Sequence, residues 1–348
     1  MWFYWILFIL PAIGAFITSG ATRQLSKLPL HLLAVIFVLV IGLRFEIGVD
    51  WGNYLVQLER AGNLTWIEAA STAEPAYELL TWLAATTASG IWLVNLGCAV
   101  VFVSGYFAFC RRLPNCWLAL TVGVPYMVIV LTMNYTRQGA ALGLVLWALS
   151  ALQDGRVFRF LLFIALAALF HNSAAALMPL GVLAGSRYSW GTLFWVALGS
   201  LLAYALFILE RQEVLLAGYL GSGMQSEGAW PRVMMNALAG MLFLTVRRYL
   251  AIPATEERVW LWISILTLLF VPALVLSPSS TAVDRIALFF MPIQLYSFSY
   301  LPSVMKRRSR NLAVSLVVLS YALVQLVWFS LTAYYDSWIP YRFYPLSI

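Results

Sequence analysis

Residues 91–109, IWLVNLGCAVVFVSGYFAF, run without a single charge and end at Cys110, Arg111 and Arg112. A run of that length matches the roughly 20 helical residues needed to cross the hydrocarbon of a bilayer. Inside a bilayer the backbone must satisfy its own polar groups, so the run reads as a transmembrane helix with a basic anchor at its end. Working outward in both directions, similar apolar stretches recur from Trp2–Thr18 to Leu312–Leu331. Hydrophobic residues make up 63% of the 348 positions and charged residues 10%, with mean hydropathy +0.87. A soluble core could not absorb so much apolar surface. The expected fold is all-α, a polytopic bundle of about 12–13 hydrophobic segments with short amphipathic helices on its outer side. No separate soluble domain fits, so residues 1–348 read as one membrane domain.

Charge sorts the loops into two sets. One holds fourteen of the 21 basic residues, including Arg111, Arg112 and the run Lys306–Arg310, but only Asp154, Glu256 and Glu257 among 14 acids. The other holds Arg44, Arg60, Arg137, Arg211, Arg232, Arg285 and Arg342, no lysine, and the remaining acids. The positive-inside rule puts the first set in the cytoplasm and both termini outside, with about twelve crossings. The net charge of +7 is then topogenic, and no nucleic-acid partner is needed. Parity requires Glu74–Ser89 to enter partway or to pack at the outer surface, and the His171-Asn172 break suggests a paired half-crossing. Three outer segments are long enough to be structured: 44–73, 210–231 and the tail 332–348. Trp51, Tyr54, Leu55, Leu58 and Trp66 are spaced as one or two amphipathic helices at the interface.

The outer arginines carry the functional argument. A forked guanidinium suits paired recognition of phosphate oxygens, where lysine offers a point charge. Six constellations gather ionic and aromatic groups at outer helix ends. The first, Arg44 to Tyr54, crowds Arg44, Glu46, Asp50 and Tyr54 around Gly48 and Gly52; an ion-paired helix end would use the same residues. The second, Glu74-Pro75-Ala76-Tyr77-Glu78, also makes an ordinary helix start. In the third, Asn134-Tyr135-Thr136-Arg137-Gln138, an arginine in the first helical turn opposes the dipole, so capping does not explain it, whereas binding an anion does. The fourth is His171-Asn172-Ser173; of the two histidines, only His171 falls in the acidic outer set, where it is the natural general base or else a satisfied core residue. Asp284-Arg285 is expected at a helix start, where a simple adjacent ion pair at the interface would use the same residues. The tail carries Tyr335, Trp338 and Tyr341 among other aromatics, which suit an interfacial belt or sugar stacking. No nucleotide loop, metal-ligand pattern or nucleophile elbow occurs. Cys98, Cys110 and Cys116 lack redox spacing and read as small apolar residues.

Taken in order, these motifs resemble the EpsG/Wzy-type family of exopolysaccharide and O-antigen polymerases. The matching residues are Arg44, Gly48-x-Asp50-x-x-x-Tyr54, Glu74-Pro75-x-Tyr77, Asn134-x-x-Arg137-Gln138, His171-x-Ser173, Asp284-Arg285 and Tyr335-x-Ser337-Trp338-x-Pro340-Tyr341, with Asp336 where such tails carry asparagine. The resemblance implies a glycosyltransferase of the bacterial inner membrane, with its site facing the periplasm. It would join undecaprenyl-diphosphate-linked oligosaccharides, donor to acceptor, amid membrane lipids and beside a chain-length regulator. No cofactor and no metal are expected: Arg137 and Arg285 would hold the diphosphate, with Arg44 assisting. Substrate contacts would come from Tyr54, Glu74, Tyr77, Asn134, Gln138, Asp284, Tyr335, Trp338 and Tyr341, and the acceptor proton would go to His171, Asp50 or Glu46. A lipid-linked oligosaccharide flippase, a glycan ligase and an acyltransferase are the alternatives.

Overall fold

The computed structural model describes residues 1–19, 27–183, 194, 226 and 228–346. Most of the expected outer segment 210–231 and the apolar stretch Trp190–Leu209 therefore lie outside the described residues, apart from 194, 226 and 228–231. The rest is helical, and among the described residues the sole extended pairing is an isolated bridge between Arg44 and Phe343.

The helices are α1 (Trp2–Ser19), α2 (Lys27–Gly42), α3 (Trp51–Ala61), α4 (Trp66–Ala70), α5 (Pro75–Thr86), α6 (Gly90–Cys110), α7 (Cys116–Gly123), α8 (Thr136–Gln153), α9 (Val157–Phe170), α10 (Leu180–Leu183), α11 (Ala229–Val246), α12 (Ala254–Leu276), α13 (Ser280–Ala287), α14 (Pro292–Val304) and α15 (Arg310–Leu331). Four described helical stretches are long and apolar enough to cross a membrane: Gly90–Cys110, Ala229–Tyr249, Ala254–Leu276 and Arg307–Leu331. Shorter apolar helices include Trp2–Thr18, Leu28–Gly42, Cys116–Thr132, Val157–Phe170 and Asn172–Leu183. On α15, Leu312, Leu316, Leu319 and Leu323 form an exposed stripe at helical spacing, while Val314, Val317, Tyr321 and Gln325 are buried. An outward leucine stripe with polar groups turned inward is what a hydrocarbon solvent selects.

The bundle centres on α8, which packs against α6 on one side and α9 on the other. Crossing of α6 and α8 depends on Gly105 and Gly143: a Cβ on Gly105 would lie 1.9 Å from the Gly143 carbonyl oxygen. Small residues at such a crossing let the two backbones touch, a common device where lipid supplies no hydrophobic drive. A buried polar chain ties the other half together: Tyr321 donates to Gln294 Oε1 at 2.6 Å, and Gln294 to Asn236 Oδ1 at 2.6 Å. Asn236 in turn donates to the Ala287 carbonyl at 2.8 Å.

Charges segregate along the helices. Arg112 with Asp154 and Arg247 with Glu257 sit at one end of the bundle; Arg137 with Glu74, Arg232 with Asp284 and Arg342 with Glu46 sit at the other. None of these five pairs joins an arginine of one loop set to an acid of the other.

Several boundaries differ from the sequence reading. The apolar stretch Ile286–Leu301 is not one helix: α13 ends at Ala287, a 3₁₀ turn follows, and Pro292 starts α14. Hydropathy does not register that break because the residues around it are all apolar, whereas proline opens a new first turn. Asp284-Arg285 consequently lies inside α13, which begins at Ser280 with Ser279 as its cap. The stretch Cys116–Leu131 changes from α7 into π-helical turns over Val124–Thr132, entirely buried. At the histidine break, α9 stops at Phe170, His171 is extended, and a 3₁₀ turn over Asn172–Leu177 follows. The segment after residue 73 forms α5, twelve residues against the sides of α3, α4 and α6.

Candidate active site

The π-helical run delivers the chain to the site. Thr132 Oγ1 donates five residues back, to the Met127 carbonyl at 2.6 Å, and the widened turns end at Met133. Such turns are uncommon and gather at functional sites. Gly48 presses against them: its φ is +99°, and a Cβ there would sit 2.8 Å from the Met133 carbonyl oxygen. Glycine alone takes both the conformation and the contact. Next to it Asn134 Oδ1 accepts the Asp50 N–H at 3.2 Å, and Tyr54 OH accepts the Thr136 N–H at 3.0 Å. The first and third constellations are thus one interlocked unit at the start of α8.

Arg137 projects from that first turn toward the start of α5. Its Nη1 donates to Glu74 Oε2 at 2.7 Å, and its guanidinium lies 5.5 Å from the Tyr77 ring centre. Glu74 Oε1 lies 2.7 Å from His171 Nδ1 and accepts the Asn172 N–H at 3.4 Å. Glu74 and His171 are largely buried, while the Arg137 side chain is 37% exposed. Burial opposes ionisation of Glu74, yet the bonds and charges of His171 and Arg137 and the Asn172 amide outweigh it and hold the carboxyl below its usual range. A carboxylate at Nδ1 fixes the proton there and leaves Nε2 as the basic nitrogen. Nε2 is buried without a hydrogen-bond partner among the described residues, and the His171 ring centre is 6.3 Å from that of Phe289. Arg285, four residues before Phe289, is drawn in through its carbonyl, which accepts from Gln138 Nε2 at 2.8 Å.

Because the folded Glu74 carboxyl titrates below its unfolded value, its contribution to stability is complete at neutral pH. That contribution fades as the pH falls from the ordinary carboxylate range through the depressed one. Acid titration of the melting temperature should show wild-type protein losing an advantage over Glu74→Gln in that window; parallel curves would contradict the assignment.

Asp284 has a different neighbour from the one its sequence suggests. Arg232 on α11 grips it with both arms, Nε to Oδ1 at 2.8 Å and Nη2 to Oδ2, and Ser226 Oγ adds a bond to Oδ2 at 3.0 Å. Both partners are nearly buried. Removing one partner leaves the other charge stranded, so Arg232→Ala should cost about 3–5 kcal/mol. The paired replacement Arg232→Met with Asp284→Leu should cost much less, as thermal melting in detergent would reveal.

Arg44, Glu46, Asp50, Trp338 and Tyr341 bond to groups other than Arg137, Glu74 and His171. Arg44 is 1% exposed and donates to the Ile41 carbonyl at 2.6 Å, to Asn95 Oδ1 at 3.1 Å and to Thr136 Oγ1 at 2.7 Å. Glu46 pairs with Arg342 at the surface, and Asp50 accepts from Asn53 at 3.3 Å. Trp338 is buried, its carbonyl accepting from Tyr4 OH at 2.9 Å, and Tyr341 stacks on Phe3 at 3.9 Å while donating to the Val40 carbonyl at 2.7 Å. These two tail aromatics are occupied in packing; Tyr335 is exposed. Backbone bonds from Gly48 N to Ser337 O at 2.9 Å, Phe45 N to Arg342 O at 3.0 Å and Tyr344 N to Leu43 O at 2.9 Å strap the tail across the first constellation. The sequence reading did not single out Asn95, and it named Thr136 and Arg232 only as members of the third constellation and of the outer arginine set. Asn95 had a readable signal, a lone amide within an otherwise apolar span.

The model described as the EpsG family matches residues 27–343, and the chain belongs to that family. No curated protein and no solved structure gives a match. The family is one of polysaccharide-polymerase-like membrane proteins.

Proposed function

We propose that this protein is a membrane glycosyltransferase that joins polyprenyl-diphosphate-linked oligosaccharide repeats at the outer face of the bacterial inner membrane. The observation that carries this reading is the convergence of Arg137, Glu74 and His171 at one bundle end, from three segments far apart in sequence. An acceptor hydroxyl oxygen attacks the anomeric carbon of the donor. The bond from that carbon to the diphosphate oxygen breaks, and its electron pair leaves with the diphosphate. The hydroxyl proton passes to His171 Nε2, while Glu74 stabilises the imidazolium that forms. Arg137 has given one N–H to Glu74 and keeps further donors on a partly exposed fork. Those donors suit the developing charge on the leaving diphosphate. Arg285, whose backbone carbonyl is tied to Gln138 on the first turn of α8, supplies the second arm in this reading. Nε2 is buried, so the hydroxyl reaches it only as the packing around His171 opens.

Purified protein incubated with one synthetic lipid-linked repeat should produce a ladder of products. Transfer to a different lipid in single steps would indicate a ligase instead, and movement across vesicles without new bonds a flippase.

A further inference from the structure

Beneath the proposed catalytic group lies a second, fully buried cluster that the reaction does not use. Arg44, Asn95 and Tyr77 are each 1% exposed, and Tyr77 shares a buried cluster with Val94 and Cys98 to either side of Asn95. Arg44 forms no ion pair with any described residue; its three bonds go to the Ile41 carbonyl, Asn95 and Thr136. A buried guanidinium without a counter-charge is expensive. The carbonyl end of α2 at Ile41 offsets part of the charge, but the amide end of α8 at Thr136 adds to it.

The polar atoms left over are of one kind. Among the described residues, Arg44 Nε, Asn95 Nδ2 and the Tyr77 hydroxyl are all buried without a hydrogen-bond partner. Asn95 cannot simply turn its amide over, because Oδ1 already accepts from Arg44 Nη2 at 3.1 Å. Two of the three are obligate donors, and the third can donate. The local acceptors, Ile41 O, Asn95 Oδ1 and Thr136 Oγ1, already receive Arg44. A water molecule would add two donors to a place short of acceptors. A monovalent anion would accept only, and would neutralise Arg44.

We propose that Arg44, Asn95 and Tyr77 form a buried site for a small monovalent anion of the halide class, which braces the first turn of α8 and hence Arg137. The inference is independent of the proposed reaction. Thr136 is the link, bonded to Arg44 through Oγ1 and to Tyr54 through its N–H, directly before Arg137 in sequence.

The test uses the full chain in detergent, with thermal melting in sodium chloride or bromide against sodium gluconate at matched ionic strength. The expected result is a saturable rise in melting temperature with halide and none with gluconate. Crystals grown in bromide should show an anomalous peak among the three side chains. Equal melting in all salts, or ordered water at that position, would overturn the site. Asn95→Asp supplies a carboxylate in place of the ion, so its melting temperature should no longer respond to halide; a full halide response in a folded Asn95→Asp protein would also overturn it. Should that variant fail to fold, the wild-type salt series decides alone.

Discussion

Arg137→Lys should fold and insert but lose polymerising activity by about 10²–10³-fold, the cost of removing one preorganised donor from a developing negative charge. Charge is retained, so the loss isolates geometry. A lysine ammonium can meet Glu74 or a phosphate oxygen as a point charge, but it cannot present the planar fork that serves both together. Arg285→Lys should fall in the same direction. Ladder formation at wild-type rate by either lysine variant, at equal membrane abundance, would remove the arginine clamp from the mechanism.

His171→Gln is expected to be the most damaging conservative change, lowering turnover by roughly 10²–10⁴. Glutamine preserves a hydrogen-bonding side chain toward Glu74 but cannot carry the acceptor proton. Glu74→Gln should fall nearly as far, since it releases Arg137 and His171 at once, whose bonds of 2.7 Å both end on its carboxylate. The double variant should be little worse than either single one, because groups acting as a unit are not additive. Binding of a polyprenyl diphosphate to His171→Gln should stay close to normal. A glutamine variant that polymerises normally would hand the proton to another group and leave His171 a positioning residue.

The sequence announced the class of fold through uninterrupted apolar runs such as 91–109, and the two loop sets reappear as ion pairs kept to separate bundle ends. Breaks inside apolar runs were invisible, as at Pro292, because hydropathy does not register where a helix restarts. Of the site, individual residues could be named, but their partners could not. Glu74 and His171 are 97 positions apart, and only the packing of α5 beside α9 brings them together. Asp284 beside Arg285 suggested a local pair, yet neighbours on a helix point in different directions. Asp284 instead faces α11 and takes Arg232. Aromatic residues in the tail carried a similar ambiguity: a ring that packs and a ring that stacks on sugar are the same letter, and here Trp338 is buried while Tyr341, half-buried, stacks on Phe3.

The strap of the tail across the first constellation has a consequence for biogenesis. Glu46 and Arg342 are 296 positions apart, so the loop 44–54 is complete in the membrane long before its fastening has left the ribosome. Through most of translation the helices that frame the site can be inserted while the loop beside it is still unclasped. Maturation then waits on residues 337–344, and a nascent chain released just short of them should reside in the bilayer with normal topology yet be catalytically silent.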